Sequence, residues 1–293
     1  MQILPTGQTL GARIEGIDLQ NPLSAPAIRT ILQALGRHGV LCFPDQTLDV
    51  LAFAAFGKNF GGLEINVANM FHEPGHPEVM ILSNVVKDGK PTGLGDAGQG
   101  WHTDMSYSET IALTTILHAQ QVPLRDGQPL GNTEFRDMHA AYEDLPASIK
   151  TRIEGRTATH DFNKFWEMMR ARPGNTRPPL TDVQRKRKPP VSHPIAYTHP
   201  VTGKKVLYCT IGYVTHIDGM DPRESAELLD FLYRHQDADK YLYTHRWTKG
   251  DMVMWDDIGT THNAIADYGD IPRTMRRLQV LADLDYPAML ASA

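Results

Sequence analysis

Cysteine is nearly absent from this chain, with two residues in 293, Cys42 and Cys209. Two thiols exclude a disulfide framework and a metal site built of cysteines, and each sits in an apolar strand-like segment, as a buried core residue would. No run approaches the roughly 20 apolar residues that cross a bilayer, and residues 1–7 lack a charged region followed by an apolar one. A soluble cytoplasmic protein without membrane contact is expected. Positive charge is not in excess: 29 Lys and Arg stand against 34 Asp and Glu, a net charge of -5, so there is no electrostatic footprint for nucleic acid. The one basic run, Arg185-Lys186-Arg187-Lys188, has no interleaved aromatics and reads as a solvated connector. No internal repeat is evident. What remains is a chain long enough to bury a substantial core, expected to form one domain over 1–293; homo-oligomerisation stays open.

Short strands separated by turn residues dominate. Strands are expected at 39–44, 79–84, 110–120, 131–135, 195–197, 205–210, 241–247, 252–255 and 273–282. Helices are expected from Ser24 to near Gly36, after a Thr47 cap, along the stripe Met138, Ala141, Tyr142 and Leu145, and after Asp221 with Pro222 at its first position. The stretch 160–194 is rich in Arg, Lys and Pro, carries Phe162, Phe165 and Trp166, and has little periodicity; it is read as an active-site lid. His72 and His76 read as loop residues. Mainly β structure with inserted helices (α+β) suggests a double-sheet jelly roll, a double-stranded β-helix that can hold a ligand between its sheets.

The chemistry concentrates in Gln99-Gly100-Trp101-His102-Thr103-Asp104-Met105. If this run is a strand, His102 and Asp104 share a face while Trp101 and Thr103 point away. Most His-x-Asp pairs in proteins are plain hydrogen bonds. A third donor, His262, lies in Trp255-Asp256-Asp257-Ile258-Gly259-Thr260-Thr261-His262, and two histidines with one carboxylate form the facial triad that holds Fe(II) with open positions. Downstream, Arg273 and Arg277 fall on one strand face with Met275, and Arg276 on the other. Should that face look inward, iron brings two positive charges, the arginines two more and Asp104 one negative. Anions must offset the remainder: a dicarboxylate cosubstrate and a monoanionic substrate do so.

These segments, with Gly131-Asn132-Thr133-Glu134-Phe135 and His38-Gly39-Val40-Leu41-Cys42-Phe43-Pro44, resemble the taurine dioxygenase and 2,4-dichlorophenoxyacetate dioxygenase (TauD/TfdA) family of iron- and 2-oxoglutarate-dependent oxygenases. The resemblance implies that His102, Asp104 and His262 bind Fe(II), that Arg273 and Thr133 hold the distal carboxylate of 2-oxoglutarate, and that Arg277 binds an anionic substrate such as an aryloxyalkanoate, sulfonate or alkyl sulfate. It implies hydroxylation by dioxygen with release of succinate and carbon dioxide, and cleavage where the hydroxylated carbon bears a leaving group. Asp104 speaks against halogenation, since related halogenases leave that position vacant. Val67, Met70 and Gly98 stand where the taurine enzyme has His, Tyr and Asn, which speaks against taurine itself. Phe162, Trp166, Tyr213 and His216 are further pocket candidates. Two competing readings are a zinc hydrolase on the same ligands and a non-catalytic jelly roll that binds an anion.

Overall fold

Strand Ala112–Gln121 is buried on both faces over most of its length, which suits only a central position in a sheet covered on both sides. The computed structural model describes residues 1–65, 71–172 and 178–291. Among them an eight-stranded sheet runs in the order Gln2–Pro5, Ala12–Glu15, Val40–Phe43, Met252–Asp256, Ala112–Gln121, Thr274–Leu281, His76–Ser83 and His72–Glu73. All its pairs are antiparallel except Ala12–Glu15 with Val40–Phe43. A three-stranded antiparallel sheet, Leu242–His245, Thr133–Asp137 and Thr260–Ala264, faces it. This is the expected jelly-roll arrangement.

Alternation then sorts the core into two layers. Leu117, Ala119, Val253, Trp255 and Met275 pack between the sheets against Phe135 and Tyr243. Their neighbours Ile116, Met252, Met254 and Leu278 face the other way and pack beneath helices. Helix Ala25–His38 covers that outer face with Ile31, Leu32 and Leu35, fully buried and contributing about 2 kcal/mol each. Ser24 caps it and Gly39 ends it at a φ of 66°, as expected for a left-handed C-terminal residue.

Several expectations need correction. The helix Val50–Lys58 is capped by Asp49, whose carboxylate accepts the Ala52 N–H at 2.7 Å, and Thr47 lies outside it. His72 belongs to the edge strand of the large sheet, and His76 begins the strand next to it. The stretch 160–194 is not irregular: helices Phe162–Arg170 and Asp182–Arg187 occupy it, the second closed by a capping box between Thr181 and Gln184, and strand Val191–Pro194 follows. Residues 173–177 of it, like Val67 and Met70, lie outside the described residues. Nor is the basic run a free connector. Arg185 to Arg187 finish a helix, and Lys188 turns back to Ser108 Oγ at 3.1 Å and Glu64 Oε1 at 3.5 Å.

His160 ends strand Thr157–His160, fully buried between His193 and Tyr208, and neither ring nitrogen has a hydrogen-bond partner among the described residues. Burial, reinforced by His193, pushes its pKa down from 6.5 to about 3. The unfolded chain therefore takes up this proton first, so stability is full above about pH 6.5 and declines as the pH falls towards 3. Urea unfolding at about pH 7.5 and pH 5 should show the unmodified protein losing about 2 kcal/mol more than His160→Phe. Equal losses would assign the pH dependence to other groups.

Candidate metal centre and anion pocket

His102 and His262 meet through a two-bond antiparallel bridge: the His102 N–H donates to His262 O at 3.1 Å, and the His262 N–H donates to His102 O at 2.7 Å. The run around His102 is otherwise not a strand. After the bridge the chain turns, with Met105 at a φ of 56°, and this turn brings the Asp104 carboxylate beside His102. Trp101 and Thr103 do leave the other way, Trp101 lying under the Arg136 guanidinium at 3.6 Å and Thr103 donating to Asp257 O. His102 Nε2 and Asp104 Oδ1 are 3.7 Å apart, and one ligand atom from each of His102, Asp104 and His262 lies within 4.8 Å of the others.

The donor chemistry fits a divalent metal. The His102 Nδ1–H donates to Gly100 O at 2.6 Å, which leaves the Nε2 lone pair towards Asp104. His262 Nδ1 is buried with no partner among the described residues. Burial lowers both histidine pKa values, that of His262 to about 3, so both rings are neutral, the ligating form. Burial alone would raise Asp104; the charge of Arg277, with a Thr115 hydrogen bond, outweighs it and holds the carboxyl below the usual carboxylate range.

The same cavity is lined by Thr133, Trp255, Arg273 and Arg277. Arg277 stands opposite Leu117 in the sheet register and places Nη1 at 4.0 Å from Asp104 Oδ2, while Arg276 turns outward to Glu73 at 2.7 Å and Leu48 O at 3.0 Å. Arg273 is 8% exposed, and its Nε has no partner among the described residues. Gly131, at a φ of 68°, lets this side chain pass, since a Cβ there would come within 2.9 Å of Arg273 Nε. Thr133 Oγ1 accepts from Trp247 Nε1 at 3.0 Å, so its own proton remains available to an anion.

Residues 2–279 match the family model "Taurine catabolism dioxygenase TauD, TfdA family". The chain belongs to the TauD/TfdA dioxygenase family. It is 32% identical to pentalenolactone F synthase of Streptomyces arenae over 98% of this chain and 97% of the relative. It is 33% identical to the alpha-ketoglutarate-dependent 2,4-dichlorophenoxyacetate dioxygenase of Cupriavidus pinatubonensis, over 95% and 97%. A crystal structure of AAD-2 in complex with Mn(II) and N-oxalylglycine superposes with a TM-score of 0.80 at 30% identity, covering 97% of this chain and 99% of that one. This TauD/TfdA protein is thus a 2-oxoglutarate-dependent dioxygenase, of a class that uses Fe(II), 2-oxoglutarate and dioxygen. The zinc-hydrolase and non-catalytic readings give way to it. Among the described residues no helix is long and apolar enough to cross a membrane.

Around the centre stand residues that no motif announced. Phe165, on helix Phe162–Arg170, packs its ring 4.9 Å from that of His102, and Tyr213 lies 5.0 Å from Phe165. Phe162 reaches the group through Tyr107. Trp166 donates to Pro178 O and lies 6.0 Å from the Phe162 ring, and His216 is exposed beside Asp218. Behind Asp104, Thr115 Oγ1 touches two carboxylates, Asp104 Oδ2 at 2.8 Å and Asp257 Oδ2 at 2.7 Å. One hydroxyl has one proton to give. Burial, and next the charge of Asp104, push Asp257 well above the usual carboxylate range, so Asp257 is a neutral acid that donates to Thr115 and leaves Thr115 to donate to Asp104. Trp255 Nε1 fixes the other Asp257 oxygen at 2.9 Å. Replacing Thr115 with Val should therefore weaken metal binding about 10- to 100-fold at unchanged secondary structure, measured by Co(II) titration and circular dichroism. Unchanged affinity would mean that Asp104 orients itself.

Proposed function

We propose that His102, Asp104 and His262 hold Fe(II), that Arg273 and Thr133 grip the distal carboxylate of 2-oxoglutarate, and that Arg277 receives the anionic group of a small organic substrate. The observation that carries this reading is a single cavity lined by two histidines, one carboxylate, the buried guanidinium of Arg273 and the partly buried one of Arg277. Such cations cannot stay uncompensated at low dielectric. Two carboxylates from 2-oxoglutarate and one charge from the substrate balance iron, Arg273, Arg277 and Asp104, with Asp257 neutral. Iron with 2-oxoglutarate and dioxygen would supply the oxidation of a substrate C–H bond, with succinate and carbon dioxide as coproducts.

The protein's own part is orientation and exclusion of water. A guanidinium fork accepts a carboxylate in two parallel hydrogen bonds, so Arg273 sets the direction of the cosubstrate as well as its charge. Phe165 and Tyr213 close the side of His102 with apolar surface, and Arg277 fixes the anionic end of the substrate relative to Asp104. Arg277 suits an aryloxyalkanoate, a sulfonate or an alkyl sulfate, and hydroxylation next to an ether or sulfate-ester oxygen would release a phenol or sulfate. This reading takes residues 1–293 as one catalytic domain and the cytoplasm as its compartment.

Succinate formation with Fe(II), 2-oxoglutarate and air, against a panel of these anions, tests the assignment. Asp104→Ala should abolish succinate formation with every substrate. Arg277→Leu should lower kcat/KM for the anionic substrate by about a hundredfold while substrate-independent 2-oxoglutarate turnover persists. In Arg273→Leu the KM for 2-oxoglutarate should rise by a similar factor, and Arg276→Ala should leave both constants nearly unchanged. A uniform response to all three arginine changes would remove the proposed division of labour.

A further inference from the structure

Besides the centre described above, two clusters of metal-ligating side chains occur among the described residues: His139, His199 and Asp256, and Cys42, His245 and Asp251. Hydrogen bonding disqualifies the first. His199 Nδ1 accepts backbone N–H groups of Val201 at 3.1 Å and Thr202 at 3.2 Å, so its proton sits on Nε2 and is donated to Asp256 Oδ1 at 3.0 Å. That ring has no lone pair to offer. The second cluster is different: His245 Nε2 is buried without a hydrogen-bond partner, although Asp251 Oδ2 is only 3.3 Å away.

The three side chains converge between the two sheets, at the end away from Asp104. Asp251 precedes strand Met252–Asp256 and shares its inward face with Val253 and Trp255. Trp255 touches His262, and four residues of strand put Asp251 about 13 Å further along. Cys42 pairs with Val253 in the next strand, and His245 ends the strand Leu242–His245 of the opposite sheet. One ligand atom from each lies within 4.8 Å of the others; tetrahedral bonds to sulfur and nitrogen would draw them to about 3.5 Å. His245 is 6% and Asp251 4% exposed, whereas Cys42, expected to be buried, is only half-buried.

We propose that Cys42, His245 and Asp251 form a second metal site, for a borderline-soft divalent cation such as zinc or cobalt, distinct from the iron centre. A thiolate and a carboxylate balance a divalent charge, and sulfur with imidazole selects these metals over magnesium or calcium. Burial and the neighbouring Asp251 charge push the Cys42 thiol up, a penalty that a bound cation reverses. With Cys42 and Asp251 on the large sheet and His245 on the small one, the ion would link the two sheets and stabilise the fold by mass action.

Co(II) titration of the chelator-stripped full-length protein without oxygen separates the two sites, because only this one has a sulfur ligand. The expected result is two cobalt ions per chain and a thiolate-to-cobalt charge-transfer band. Cys42→Ser should abolish the band and keep one ion, His102→Ala should keep the band and lose one ion, and His245→Ala should weaken the band-forming step about tenfold or more. One cobalt per chain and no thiolate band in the unmodified protein would overturn the proposal, independently of how any variant folds. So would a band that survives Cys42→Ser and vanishes with Cys209→Ser.

Discussion

The two-bond bridge between His102 and His262 is the constraint on which the site depends. It joins a loop that follows the Gly-rich stretch 93–100 to a strand of the small sheet, across 160 positions of sequence, and it satisfies four buried backbone groups that would otherwise be costly. Flanking contacts extend the same junction: Ala264 N–H donates to Gly98 O at 2.9 Å, and Gly100 N–H donates to Asn263 Oδ1 at 2.7 Å. Once this edge is closed, Arg136 can lie over Trp101 and the turn at Met105 can deliver Asp104. The geometry of the candidate ligands follows from backbone pairing, and the side chains complete it.

Electrostatics explains why so polar an interior is tolerated. Burial favours neutral histidine and neutral Asp257, while Arg277 keeps Asp104 ionised, so two carboxyls a few ångströms apart settle into opposite protonation states. The ionised one faces the histidines; the neutral one is tied to Thr115 and Trp255 behind it. Arg273 has no such internal counter-charge among the described residues, and its buried guanidinium is the observation behind its proposed role as an anion site.

Much of this was legible in the sequence. Most strands, the Ser24 and Asp221 caps, the grouping of His102, Asp104 and His262, and the opposite facing of Arg276 against Arg273 and Arg277 all follow from local periodicity or motif. Other features carry no local sign. Thr115 sits in an apolar run like any β-forming residue, and Asp257 is one of two adjacent aspartates whose roles differ only because they face opposite sides of the chain. The stretch 160–194 looked irregular because its two helices are short and one is strongly basic, yet capping by Asp161 and Thr181 sets both.

Sequence alone determined which side chains could ligate a metal or meet an anion, and that Arg273 and Arg277 face away from Arg276, because a strand's period of two is a property of the backbone. Tertiary structure decided that Asp104 reaches His102 through a turn, that Phe165 covers that histidine, and that Cys42 stands beside His245 and Asp251. Those outcomes depend on pairing between segments far apart in the chain, and the free energy of such pairing is set by partners that no local window contains.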